Sequence, residues 1–207
     1  MSNAKAVGVI GAGTMGHGIA HVSAQAGFEV VLYDVTKAAA EAGRAKIEKN
    51  LAIGVEKKKV TPEARDATLA RISTADFLES LSQCHLVVEA APEKLSLKQD
   101  LFKQLSAICP SDTILASNTS SLSLTEIAAA ATNPGRVVGL HFFNPVHLMK
   151  LLEVVRGQAT SDETVATVRA FGQTLRKELI VVKDSPGFAS SRLGLALGLE
   201  AIRMLED

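Results

Sequence analysis

The stretch "AVGVIGAGTMGHGIA" at 6–20 passes from a short apolar run into Gly11-x-Gly13-x-x-Gly16 and then into a helix-compatible pattern. A second apolar run, "EVVLYD" at 29–34, ends on Asp34, 18 residues beyond Gly16. Glycines at that spacing between a strand and a helix, with an acid closing the next strand, form the fingerprint of a βαβ unit that binds a dinucleotide. Gly11 makes the tight turn, Gly13 lets the backbone approach the pyrophosphate, and Gly16 lets helix and strand pack closely. Ala12, Thr14 and Met15 complete the turn, and the helix N-terminus that follows holds the phosphate charge. Asp34 is expected to accept hydrogen bonds from the adenosine ribose hydroxyls. Its charge repels a 2′-phosphate, so the pattern favours NAD over NADP, with Lys37 near enough to moderate the preference.

The same alternation of strand and helix continues along the chain. Strands are expected at 6–10, 29–34, 85–90, 113–117, 136–141, 151–155 and 179–183. Ser123 and Thr160 each begin a capping box, with Glu126 and Glu163 three residues on. Thr61 precedes a proline at a first helical position. Residues 36–59 read as one long helix ending on Lys57-Lys58-Lys59, either a solvated terminus or an anion-binding edge. The fold class is therefore α/β: a Rossmann-like, doubly wound, mostly parallel sheet covered on both faces.

With 47% hydrophobic and 21% charged residues in 207, the chain forms a packed core. Twenty-two basic residues balance twenty-two acidic ones, so no overall charge draws it to nucleic acid or an anionic membrane. No run approaches the ~18 apolar residues of a membrane span. The glycine spacing makes the N-terminus a folded strand rather than a secretion signal. Cys84 and Cys109 match no metal-binding spacing and read as reduced structural thiols, which implies a cytoplasmic protein.

A domain boundary is expected at "KDSPGF", 183–188, where Asp-Ser-Pro-Gly signals a turn. Residues 1–184 would form the nucleotide-binding domain and 185–207 the start of a helical one. The segment "ASSRLGLALGLEAIRMLED" is apolar on more than one stripe and needs partners on several sides. The chain is expected to stop just inside that second domain.

His17 and His21 stand at i,i+4, but no Glu accompanies them and their helix serves the nucleotide, so no metal is expected. "ASNTSSLSL" at 116–124 lacks the G-x-S-x-G elbow of a hydrolase. His141 and Glu153 are different, because each lies in an apolar strand-like run where an unpaired ionisable group costs several kcal/mol. Asn144-Pro145 between them permits the chain to reverse. The two groups can then satisfy one another, the carboxylate accepting from one imidazole nitrogen and leaving the other as a free acceptor. An alcohol-oxidising nicotinamide enzyme needs such a base, since hydride leaves the carbon as the hydroxyl loses its proton. The carboxylate would stabilise the imidazolium. A purely structural His–Glu pair is the competing reading of these two residues.

Five stretches, "GAGTMGHGIA", "VVEAAPEKLSLKQDLF", "ASNTSSLSLTEIA", "GLHFFNPVHLMKLLEVV" and "DSPGF", occur in the order found in the L-3-hydroxyacyl-CoA dehydrogenases. The chain resembles that family over essentially its whole length, and the bacterial 3-hydroxybutyryl-CoA dehydrogenases most. The resemblance implies oxidation of (S)-3-hydroxyacyl-CoA by NAD, as in fatty-acid metabolism and β-oxidation. It makes His141 the general base, Glu153 its orienting partner, and Ser120 and Asn144 contacts at the cofactor–substrate junction. It also places Glu93 and Lys98 beside the NAD ribose and nicotinamide, and Lys57 and Asn50 near the phosphates of CoA. Family members are homodimers through the helical domain, of which this chain holds only the first helix. Ser191 stands where the family usually has Asn, which shortens an active-site contact. Two alternatives share much of this pattern: an NAD-binding module without turnover, and a sugar-acid dehydrogenase of the lambda-crystallin group.

Overall fold

The computed structural model describes residues 6–206, so the first five residues of the expected nucleotide-binding domain and Asp207 lie outside it. The strands are β1 (Ala6–Ile10), β2 (Glu29–Tyr33), β3 (Ile72–Ala75), β4 (Leu86–Glu89), β5 (Ile114–Ser117), β6 (Val137–Phe142), β7 (Leu151–Arg156) and β8 (Glu178–Lys183). The helices are α1 (Thr14–Gln25), α2 (Lys37–Glu56), α3 (Pro62–Ala70), α4 (Leu95–Ile108), α5 (Leu124–Ala128), α6 (Asp162–Thr174) and α7 (Ser190–Glu206). All eight strands form one sheet in the order β3-β2-β1-β4-β5-β6-β7-β8. Every neighbouring pair is parallel except β6 and β7, which are antiparallel.

Alternate residues of the inner strands feed two cores. Val7 and Val9 join Ile19 of α1, Ile47 and Leu51 of α2, and Val168 and Phe171 of α6 on one face. Ile10 and Val87 join Phe102 and Leu105 of α4, and Leu124 and Ile127 of α5, on the other. A sheet buried on both faces needs apolar side chains pointing both ways, which is why these strands are continuous apolar runs. The chain leaves β1 toward β2 and β3, then returns to place β4 on the other side of β1. That reversal opens a crevice at the carboxyl ends of β1 and β4, where doubly wound sheets bind ligands.

Two local details differ from the sequence reading. Edge strand β3 was not expected: its four residues bury only Ile72 and Ala75, too short a pattern to stand out. The cap of α6 is Ser161, whose side chain accepts from the Thr164 N–H, and not Thr160. Thr160 is instead buried, donating to the Val137 carbonyl at 2.7 Å and accepting from the Gly157 N–H at 3.0 Å. Ser123 and Thr61 do cap α5 and α3. Among the described residues no helix is long and apolar enough to cross a membrane, and no cluster of three or more side chains could hold a metal ion.

Candidate active site

The turn after β1 is built by steric exclusion. Gly11 has φ +87, and a Cβ there would lie 2.7 Å from the Ala90 carbonyl oxygen. A Cβ on Gly16 would lie 1.6 Å from the Gly11 carbonyl oxygen, so α1 can begin against the turn only with glycine. Gly13 is the opposite case, with no atom within 4 Å of an added Cβ. It is the residue preceding α1, and neither a capping side chain nor an acid in the first turn occupies that helix end. The unpaired N–H groups of Thr14, Met15 and their neighbours are free for an anion. Asp34, just past β2, accepts the Ala12 N–H at 2.7 Å through one oxygen and the Val35 N–H at 2.8 Å through the other. A carboxylate offers about four lone-pair sites, so capacity remains for ribose hydroxyls. An uncapped helix end, an open Cα and a partly committed acid fit a dinucleotide.

His141 and Glu153 are direct partners in the antiparallel register of β6 and β7. Opposed residues in such a pair project to the same side of the sheet. Their side chains meet with Nδ1 2.6 Å from Oε2. Glu153 is sealed from solvent and His141 is 6% exposed. With Nδ1 directed at the carboxylate, that nitrogen carries the proton and Nε2 is left as the acceptor. The imidazole is flanked by Phe143 at 4.5 Å and, nearly edge-on, by Phe188 at 5.7 Å between ring centroids. The reversal between the strands contains a cis peptide at Asn144-Pro145.

A cleft of about 280 Å³ is lined by Met15, Glu93, Lys98, Ser120 and His141, with Ala90, Ala91, Asn118 and Phe142 completing its wall. The structure thus brings together the turn, the dyad and the 118–121 loop. Beneath the cleft, Lys98 donates to Glu89 Oε1 at 2.6 Å and to the Ala91 carbonyl at 3.2 Å, and pairs with Glu93 Oε2 at 3.2 Å. Three N–H donors meet three acceptors, so the ammonium is fully committed within the protein. Glu89 also accepts from the Ala91 N–H and from the Ser117 hydroxyl, both at 2.6 Å. Glu93 accepts from the Thr119 hydroxyl, the Ser120 N–H at 3.1 Å and the Ser121 hydroxyl at 3.3 Å. Burial opposes ionisation of Glu93, but the Thr119 hydrogen bond, the Lys98 charge and the Ser120 N–H outweigh it and hold its carboxyl below the usual range.

Glu89 was missed by the sequence reading, as were Ser117, Thr119 and Asn118, whose Oδ1 accepts the Phe142 N–H at 3.0 Å. One signal for Glu89 was available: an acid closes the apolar run of β4 as Asp34 closes that of β2. Asn144 is exposed beside the cis peptide and does not line the cleft. Asn50 and Lys57 belong to α2 and its C-cap, and neither lines the cleft. Ser191 is the second residue of α7, and it is the preceding residue, Ser190, whose N–H reaches Glu153 at 2.8 Å. His17 and His21 share α1, where His21 is buried and stacks on His147 with 5.4 Å between ring centroids.

Residues 6–185 match the family model described as "3-hydroxyacyl-CoA dehydrogenase, NAD binding domain". The chain is 48% identical over 198 residues to a probable 3-hydroxybutyryl-CoA dehydrogenase of Bacillus subtilis, covering 96% of this chain and 69% of that protein. It superposes on the crystal structure of FadB2 from M. tuberculosis with a TM-score of 0.93 at 42% identity, covering 97% of this chain and 71% of that one. For the (S)-3-hydroxybutyryl-CoA dehydrogenase PaaH1 from Ralstonia eutropha the TM-score is 0.90 at 42% identity, with coverage of 92% and 67%. The open helix end at Gly13, the strand-closing Asp34 and this similarity agree, and the chain belongs to the NAD-dependent 3-hydroxyacyl-CoA dehydrogenase family.

Proposed function

We propose that this protein oxidises (S)-3-hydroxyacyl-CoA to 3-oxoacyl-CoA, with short acyl chains such as 3-hydroxybutyryl the preferred substrates. The observation that carries the proposal is the His141–Glu153 pair, buried at the edge of the cleft that also holds the nucleotide turn. NAD, held by the Gly11–Gly16 turn and Asp34, supplies the hydride acceptor. His141 Nε2 takes the hydroxyl proton as the C3–H bond breaks and the carbonyl forms, and Glu153 stabilises the resulting imidazolium. Ser120, on a loop pinned to Glu93, orients the substrate oxygen. Glu93 itself borders the cofactor, and Lys98 supports it from the floor of the cleft. Lys57 and Asn50 on the outer edge of α2 receive the phosphates of CoA, and Asn144 borders the cofactor–substrate junction. Residues 1–184 act as the nucleotide domain of a cytoplasmic homodimer, and residues 185–207 belong to the substrate and dimer side. The exposed Leu193, Leu195, Leu197, Leu199 and Ile202 of that helix support such a contact.

The test is loss of 340-nm absorbance with acetoacetyl-CoA and NADH, comparing wild type with His141→Gln. Equal rates would remove His141 from the mechanism. Faster turnover of L-gulonate than of 3-hydroxybutyryl-CoA would overturn the substrate class.

A further inference from the structure

The two oxygens of Glu153 serve different parts of the chain. Oε2 holds His141, and Oε1 accepts the main-chain N–H of Ser190, the first residue of α7, at 2.8 Å. Just before that residue the backbone is left-handed at Gly187, φ +73, and at Phe188, φ +49. The same turn buries Phe188 and sets its ring against the imidazole. One four-residue stretch therefore touches both members of the dyad, the base through a ring and the carboxylate through an N–H.

From this geometry we infer that residues 187–190 form the positioning element of the dyad, with the Ser190 main-chain N–H as its key donor. The inference rests on the reading of His141 as base. The terminal torsion of a glutamate is broad and roughly two-fold, so one hydrogen bond leaves the carboxylate free to turn. A second donor on the other oxygen fixes its plane. Glu153 is sealed from solvent, so water does not replace a lost donor, and an unsatisfied carboxylate oxygen in that place is costly. Without Ser190 N–H, Glu153 gains by swinging toward another donor, and the imidazole loses its orientation. The Ser190 hydroxyl takes no part, since it is buried with no hydrogen-bond partner. Docking of α7 and competence of the base thereby become one event.

The main-chain origin of the donor gives a clean test. Ser190→Pro removes the N–H at the first position of a helix, where proline is tolerated. Ser190→Ala keeps it. With acetoacetyl-CoA and NADH, Ser190→Pro is expected to lower kcat by about tenfold or more while KM and NADH affinity stay near wild type. Ser190→Ala restores kcat. Independently of turnover, the low-field proton on His141 Nδ1 should be sharp in NMR spectra of wild type and Ser190→Ala and lost in Ser190→Pro. If Ser190→Pro fails to fold, a backbone ester at position 190, which replaces N–H by oxygen, is read the same way. Wild-type kcat and an unchanged resonance in the proline or ester form overturn the inference, as does an equal loss in Ser190→Ala. A wild type that never turns over, yet loses the resonance only in the proline form, supports the positioning role and sinks the dehydrogenase reading instead.

Discussion

Glu89 and Lys98 lie 2.6 Å apart, neither with more than 1% of its side chain exposed. This ion pair is the floor of the cleft, because Lys98 also anchors Glu93, and Glu93 holds the loop that presents Ser120. Breaking a buried pair strands a charge, whereas replacing both partners by apolar groups can be nearly neutral. Lys98→Met alone should therefore cost about 3–5 kcal/mol of stability, and Glu89→Leu with Lys98→Met much less. Urea denaturation of the three proteins measures it. Equal losses in the single and double variants would show that the pair is not the source of the cost.

Glu153→Gln separates orientation from packing. The amide has one oxygen where the carboxylate has two, so it can satisfy His141 Nδ1–H or Ser190 N–H but not both. We expect kcat to fall by about 10²–10⁴ with NAD affinity unchanged, the range for losing or misdirecting a general base. Calorimetry with NAD beside the 340-nm assay checks this. A parallel loss of NAD binding would mean that the whole cleft has collapsed.

Gly13 and Gly16 should respond to alanine in opposite ways. A methyl on Gly13 meets open space, so Gly13→Ala should fold with wild-type Tm and bind NAD at least ~10-fold more weakly. A methyl on Gly16 would collide with the Gly11 carbonyl, so Gly16→Ala should lose Tm first. Melting curves with and without NAD distinguish them, and a normal Tm in Gly16→Ala would contradict the packing described.

His21 makes the fold sensitive to mild acid. Burial, then the charges of His147, His17 and Lys177, push its pKa down to about 4. The unfolded chain takes a proton on this residue near pH 6.5 while the folded protein resists until about 4. Stability from neutral His21 is thus complete above pH 6.5 and is lost as pH falls toward 4, by on the order of 3 kcal/mol. His21→Leu should flatten denaturant midpoints across that window. Identical pH profiles in both proteins would exclude the residue as the cause.

The glycine turn, Asp34 and the dyad were legible in the sequence because each breaks a local rule. Glycines crowd a strand end, and charges interrupt apolar strands. Glu89 broke the same rule, yet no second charge stood at a spacing that suggested a partner; Lys98 meets it only through the turn from β4 into α4. Thr160 and Ser161 show the limit of pattern matching, since both fit a cap and only packing against Val137 decides between them. The contact from Ser190 was out of reach altogether. It uses a main-chain N–H, which every residue but proline has, so no side-chain pattern can reveal it.

The antiparallel register of β6 and β7 makes the sheet itself the ruler that sets the distance between the His141 imidazole and the Glu153 carboxylate. The eight residues joining the strands deliver the chain without measuring that distance. Phe143 beside the imidazole, Asn144 and the buried Val146 are tied to the site or the core, so the freedom to vary without moving the pair lies at the exposed Leu148–Lys150 end, provided the register is kept. A slip of one residue in the pairing would instead turn Glu153 to the opposite face. Sequence drift in this region should therefore be tolerated at the exposed end of the loop and punished in the strands.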